Sequence, residues 1–131
     1  MNLDKLQIYL RSCSDTQFKL GKHDCFTFTN NAYVAMTGEG WADEAFGNYE
    51  GKTRKELSDY FKSTSLLDFI NSKMTSCGLP PPRGALVAIK AKRKKIFTHS
   101  LGICNGSHCA FVGDVGIEYI PVEHVELGWV K

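Results

Sequence analysis

The chain of 131 residues has the length of one domain and can bury a real core without staples, so residues 1–131 are read as a single unit. With 43% hydrophobic and 23% charged residues it is globular in composition rather than disordered, and a formal net charge of +2 is too small to require a nucleic-acid partner. No apolar run approaches the ~20 residues that span a bilayer, and Met1-Asn2-Leu3-Asp4-Lys5 lacks a basic start followed by an apolar stretch, which points to residence in the cytoplasm.

Leu3, Leu6, Tyr9 and Leu10 recur at helical spacing and predict an amphipathic helix over 3–11. Residues 12–22 are polar and turn-like, with Phe18 and Leu20 as anchors and Gly21 as punctuation. His23-Asp24-Cys25-Phe26-Thr27-Phe28 then opens a second helix, whose stripe of Cys25, Phe28, Ala32, Ala35 and Met36 suits burial. Asp24 or His23 is its cap, and Gly38 its stop. Residues 41–52 read as an irregular segment packed by Trp41, Phe46 and Tyr49. A third helix over 53–62 is capped by Thr53 with Glu56 as capping-box partner. A fourth, over 65–75, carries Leu66, Leu67, Phe69, Ile70 and Met74 and ends at Gly78.

Leu79-Pro80-Pro81-Pro82-Arg83-Gly84 is too short for a linker and marks a change of structural class. Before it everything reads helical. After it, residues 85–89, 97–104, 108–112 and 116–122 read as about four strands of an antiparallel sheet, with Asn105-Gly106 as a two-residue hairpin turn. Between the first two strands, Lys90, Lys92, Arg93, Lys94 and Lys95 form a basic loop. It is either a solvated hairpin that guards a sheet edge or a loop that docks an anion or a partner; no interleaved aromatics support base stacking. Residues 122–126 are a turn or short helix, and Trp129 pins the C-terminus to the core.

The five cysteines are an odd number without an export signal, so a disulfide framework is not expected. Cys104-x4-Cys109 with His108 between is the nearest thing to a metal pattern, and it lacks a second half, so neither metal nor cofactor is assigned. Cys25 is chemically distinct. In the first turn of a helix a thiol feels the partial positive charge of unpaired backbone N–H groups, which favours the thiolate. A thiol hydrolase would further need an imidazole on a facing sheet and a polar group behind it.

Gly21-Lys22-His23-Asp24-Cys25, Pro82-Arg83-Gly84-Ala85-Leu86-Val87, Leu101-Gly102-Ile103-Cys104-Asn105-Gly106, Gly116-Ile117-Glu118-Tyr119-Ile120-Pro121 and Trp129 occur in an order that resembles the phage-encoded NlpC/P60-like proteins found among tail genes. The resemblance covers about residues 17–131. It implies an α+β domain of papain-like NlpC/P60 topology, with N-terminal helices packed on a C-terminal antiparallel sheet. Cys25 is then the nucleophile and His99 the base of a cysteine peptidase acting on cell-wall peptide amides, with the Cys25 backbone N–H helping to hold the oxyanion. The implied setting is a phage tail tip or tail assembly, with other tail proteins as partners.

Three positions differ from the family pattern. Active relatives carry His-x-Gly-Ile, whereas here Ser100 holds the histidine's place and His99 stands three residues before Gly102; alternation along a strand then aims His99 away from Cys25 unless a bulge re-aims it. The next strand offers Ala110, Phe111 and Val112 where a polar orienting residue is expected, leaving Asp114 or His108 as substitutes if the strand is shifted. Ala85 replaces an aspartate. The alternatives to a hydrolase are a catalytically inactive tail component that docks neighbours through the same fold, with the Lys90–Lys95 loop as a docking surface, and a small inhibitor of a host protein.

Overall fold

Local capping chemistry sets the first two helices. The structure, a computed structural model, describes residues 1–20, 22–43, 66–90 and 99–131. Helix α1, Leu3–Ser12, starts where the Asn2 side chain accepts the Lys5 N–H at 3.0 Å, and carries Asp4 in its first turn and Arg11 in its last, complementing the helix dipole. Helix α2, Cys25–Thr37, ends at Gly38, whose φ of +88° is a left-handed cap that a side chain would strain. The two helices run antiparallel: the Asn2 N–H donates to Met36 O at 2.9 Å, and the Tyr9 ring stacks on Phe28 at 5.6 Å. Burial on α2 is wider than the expected stripe, because Phe26, Thr27, Thr29, Asn30 and Tyr33 are enclosed along with Phe28, Ala32 and Met36.

Helix α3 spans Leu66–Lys73, shorter than the expected 65–75. Met74 lies just beyond it, and Thr75–Ser76 leaves the helix to form β1, so a strand precedes the proline run. The expected helix over 53–62 lies outside the described residues, as do Gly21, Phe46, Tyr49 and the basic loop apart from Lys90.

The strands that follow are β2 Leu86–Lys90, β3 His99–Cys104, β4 His108–Val112, β5 Ile117–Pro121 and β6 Leu127–Val130. Among the described residues they make with β1 a six-stranded antiparallel sheet in the order β1-β6-β2-β3-β4-β5, rather than about four strands. Strand β6 is inserted between β1 and β2, where Leu86 pairs with Trp129. A run of apolar residues such as Leu127-Gly128-Trp129-Val130 fits an interior strand covered on both faces. The β3–β4 turn is also displaced by one from expectation. Asn105 N–H donates to His108 O at 2.9 Å, so Asn105 belongs to the ladder and the loop is Gly106-Ser107. Gly106 has φ +99° and Ser107 a negative φ, which selects a turn with glycine in the first central position.

The sheet separates two layers of core. Toward the helices, Leu86, Ala88, Leu101, Ile103, Ala110 and Trp129 pack with Leu6, Leu10, Phe26, Phe28 and Tyr33. Each large side chain buried there contributes about 1.5–3 kcal/mol relative to exposure. On the opposite face Ala85, Val87, Cys104, Cys109 and Phe111 pack with Val125, brought over the sheet by a 3-10 turn at Val122–His124. The molecule is therefore an α+β domain with described helices on one side of an antiparallel sheet. Among the described residues no helix is long and apolar enough to cross a membrane.

Candidate functional site

The start of α2 is closed by a capping box. The Asp24 side chain accepts the Thr27 N–H at 2.9 Å, and Thr27 Oγ1 accepts the Asp24 N–H at 2.8 Å. Asp24 is therefore the cap, and Cys25 is the first helical residue. Cys25 is half-buried against the helix-side core, and its turn is clamped from behind: Thr29 Oγ1 donates to Cys25 O at 2.8 Å and itself accepts the Trp41 indole N–H at 3.1 Å. Asn30, fully enclosed, donates to Asp43 Oδ1 at 2.8 Å and accepts the Ala42 N–H at 2.7 Å, holding residues 40–43 against the same helix. This polar clamp was not foreseen from the sequence. Its only local signal is Asp24-x-x-Thr27, a spacing that matches a capping box.

Two groups beside Cys25 shape its electrostatics. The buried Asp24 carboxylate places a full negative charge where the helix dipole is positive, opposing the stabilisation a thiolate would otherwise receive. His23 has its backbone tied to Lys19 in both directions, at 2.9 and 2.7 Å, and its ring edge-on to Phe28 at 5.9 Å. Its Nε2 is enclosed without a hydrogen-bond partner among the described residues. Burial lowers this imidazole below its ordinary range and so favours the neutral form, and the Asp24 charge partly counters that by favouring the protonated one.

The pairing register determines the face on which His99 lies. Strand β3 pairs with β2 without a bulge from Leu86↔Ile103 to Lys90↔His99, and Leu101 and Ile103 belong to the helix-side core. His99 shares their parity and so lies on the helix side of the sheet. The offset from Gly102 does not turn it away, because Gly102 faces the other side: a Cβ there would sit 2.7 Å from the Phe111 ring.

Three ties orient α2 along the sheet. The Tyr33 hydroxyl donates to Gly84 O at 2.8 Å, placing the later half of α2 beside the start of β2. The antiparallel α1 sets its Gln7 amide against Asn105 at the β3–β4 turn, whereas Ser14, just past its C-terminus, accepts the Ile117 N–H at 2.9 Å at the start of β5. Cys25 lies roughly 12 Å of helix back from Tyr33, comparable with the roughly 13 Å from Leu86 to Lys90. Cys25 and His99 thus occupy the same end of the domain.

Asp114 also lies at that end. It is exposed at the tip of the β4–β5 hairpin, closed by Gly113 N–H to Gly116 O at 2.8 Å, beyond the last β3–β4 pair at Gly102↔Phe111. His108 does not belong there. It opens β4 at the other end of the sheet, about 20 Å of strand from His99, and is exposed with its Nδ1 3.0 Å from Ser107 Oγ. His108 cannot orient His99 without refolding the sheet. Nor can it complete a metal pattern, since Cys104 and Cys109 face the opposite side of the strands from it. Among the described residues no three His, Cys, Asp or Glu side chains are grouped to hold a metal ion. Lys90, opposite His99 at the end of β2, is exposed; Lys92, Arg93, Lys94 and Lys95 lie outside the described residues.

Fold and site together describe an α+β domain whose half-buried cysteine, at a helix N-terminus, shares one end of the sheet with a histidine. Residues 3–130 match the family model described as Domain of unknown function (DUF6950), and the chain belongs to that family. No curated protein matches the chain.

Proposed function

We propose that the domain is an NlpC/P60-like thiol hydrolase of a phage tail, papain-like in topology, with Cys25 as nucleophile and His99 as base. The observation that supports this reading is the placement of His99 on the helix side of β3, at the end of the sheet where α2 begins with Cys25. In the proposed reaction His99 takes the thiol proton and the Cys25 thiolate attacks an amide carbonyl of cell-wall peptide. The tetrahedral intermediate collapses with His99 returning the proton to the departing amine, and water resolves the acyl-enzyme. Asp114, on the hairpin at the same end of the sheet, is the carboxylate proposed to steady the imidazole. The test is iodoacetamide labelling across pH together with hydrolysis of cell-wall peptide fragments. Labelling of Cys25 well below pH 8, ahead of Cys77 and abolished as a low-pH shoulder in His99→Ala, is the expected result; slow, uniform labelling of the two half-buried thiols overturns it.

A second reading, a structural tail component without turnover, is favoured by Ala110, Phe111 and Val112 on β4, which give an imidazole no polar support. It predicts that Cys25→Ala leaves tail assembly and infectivity intact, with the protein retained in purified virions.

A further inference from the structure

Cys104 and Cys109 stand directly opposite each other on β3 and β4, on the sheet face away from the helices, and both are fully buried free thiols. The ladder around them is specific. Asn105 N–H bonds His108 O at 2.9 Å, making the next pair hydrogen-bonded, while Cys104 directs its own N–H to Ala85 O at 2.9 Å and accepts the Gly84 N–H at 2.7 Å on the β2 side. Antiparallel pairs alternate, so Cys104 and Cys109 form a non-hydrogen-bonded pair, where Cα atoms approach to about 4.5 Å. That lies inside the range of roughly 4.4–6.8 Å that a disulfide spans.

A third thiol lies beside them. Cys77 is half-buried, and burial raises its thiol, with a charge on Cys104 adding to that; both cysteines flank Pro81: Cys104 Sγ is 3.7 Å from Pro81 O, and a Cβ built on Gly128 would lie 3.1 Å from Cys77 Sγ and 3.2 Å from Pro81 Cβ. Burial, with Cys104 next to it, pushes the Cys109 thiol up to about 12. Its thiolate is then scarcer than an ordinary one by about three orders of magnitude, so Cys109 is a poor first attacker on a dissolved disulfide.

We propose that Cys104 and Cys109 form a reversible cross-strand disulfide, and that Cys77 is the thiol through which a small-molecule disulfide oxidises them. The Cys77 thiolate attacks the oxidant's S–S bond, releasing one thiol that carries away the Cys77 proton. Cys104 attacks the Cys77 sulfur of the mixed disulfide and expels the second thiol. Cys109 then attacks the Cys104 sulfur and returns Cys77 to the thiol form. Two protein thiols lose two hydrogens, and one external disulfide is reduced to two thiols. The bridge closes only the short loop between residues 104 and 109, so it constrains little unfolded chain and stays reducible.

The test is incubation of the native protein with glutathione disulfide, acid quench, alkylation and trypsin digestion. Cleavage after Lys95 yields one peptide, 96–131, holding both cysteines. The expected product is that peptide lighter by two hydrogens and resistant to alkylation, with Cys77 free; Cys25→Ser behaves alike, separating this chemistry from the proposed hydrolase. In Cys77→Ser the bridge forms about tenfold or more slowly, and Cys109→Ser stops at a bond involving Cys77. A lasting glutathione adduct on Cys77 with no bridge, or a bridge that appears only after denaturation, overturns the proposal. Unchanged kinetics in Cys77→Ser overturns the relay.

Discussion

The two ends of α2 are built differently. The C-terminal end is fixed by backbone and one phenol: Asn2 N–H to Met36 O, Gly38 as a left-handed stop, and the Tyr33 hydroxyl on Gly84 O. The N-terminal end is held by a buried carboxylate, a threonine clamped by an indole, and three rings, Phe26 lying 5.3 Å from Trp41 and 6.1 Å from Phe69. At this second end His23, Asp24 and Cys25 are consecutive, and His99 lies across on β3. One end is a structural anchor; the other combines anchoring with the residues proposed to carry chemistry.

The aromatic cluster is the most sensitive element of that contrast. Phe26→Ala, which empties a fully buried site between Trp41 and Phe69, is expected to cost about 3–5 kcal/mol in denaturant unfolding. The same experiment at the other end, Tyr33→Phe, leaves the ring in place and loses one hydrogen bond, for about 1 kcal/mol. A smaller loss for Phe26→Ala than for Tyr33→Phe would reverse the assignment of anchor strength.

Asp24 separates capping from charge. Asp24→Ala removes the acceptor for the Thr27 N–H and is expected to cost about 1–2 kcal/mol. Asp24→Asn keeps an equally good cap but lifts the negative charge from beside Cys25, so stability changes by less than about 0.5 kcal/mol while the Cys25 alkylation profile moves toward lower pH. If Asn and Ala behave alike in both measurements, the carboxylate's charge is irrelevant to the thiol.

His23 makes the same end pH-dependent. Its folded-state affinity for a proton is depressed by burial, so the unfolded chain binds the proton first as pH drops below ~6.5. The stability it contributes is complete above that value and is lost as pH falls through the window between the unfolded and the lower folded pKa, where the loss levels off. Comparing unfolding midpoints between pH 7.5 and 5 should show a steeper decline in wild type than in His23→Phe. Smallest of all, His108→Ala, at the exposed far end of the sheet, is expected to shift stability by no more than about 0.5 kcal/mol and to leave Cys25 labelling untouched.

Much of the helical half was legible because its signals are local. Asn2, Asp24 and Gly38 act within one turn, and the boundaries of α1 and α2 fall within a residue of those expected. The two strands that were missed have partners far away in sequence. Thr75–Ser76 is too short to show alternation and becomes a strand only by pairing with Trp129 and Val130. The loop after β3 shifted from Asn105-Gly106 to Gly106-Ser107 because the ladder extended one residue further than turn chemistry alone required.

The sequence by itself determined where the helices begin, that Asp24 could cap one of them, and that Cys25 would stand at its first turn, since capping depends on residues three or four apart. Only the tertiary structure decided which face of β3 carries His99, that His108 is stranded at the far end while Asp114 lies at the same end of the sheet, and that Cys104 meets Cys109. Each of those depends on strand register. A shift of one residue inverts every side chain, and register is set by long-range pairing and by the rings and methyls that fill the two cores.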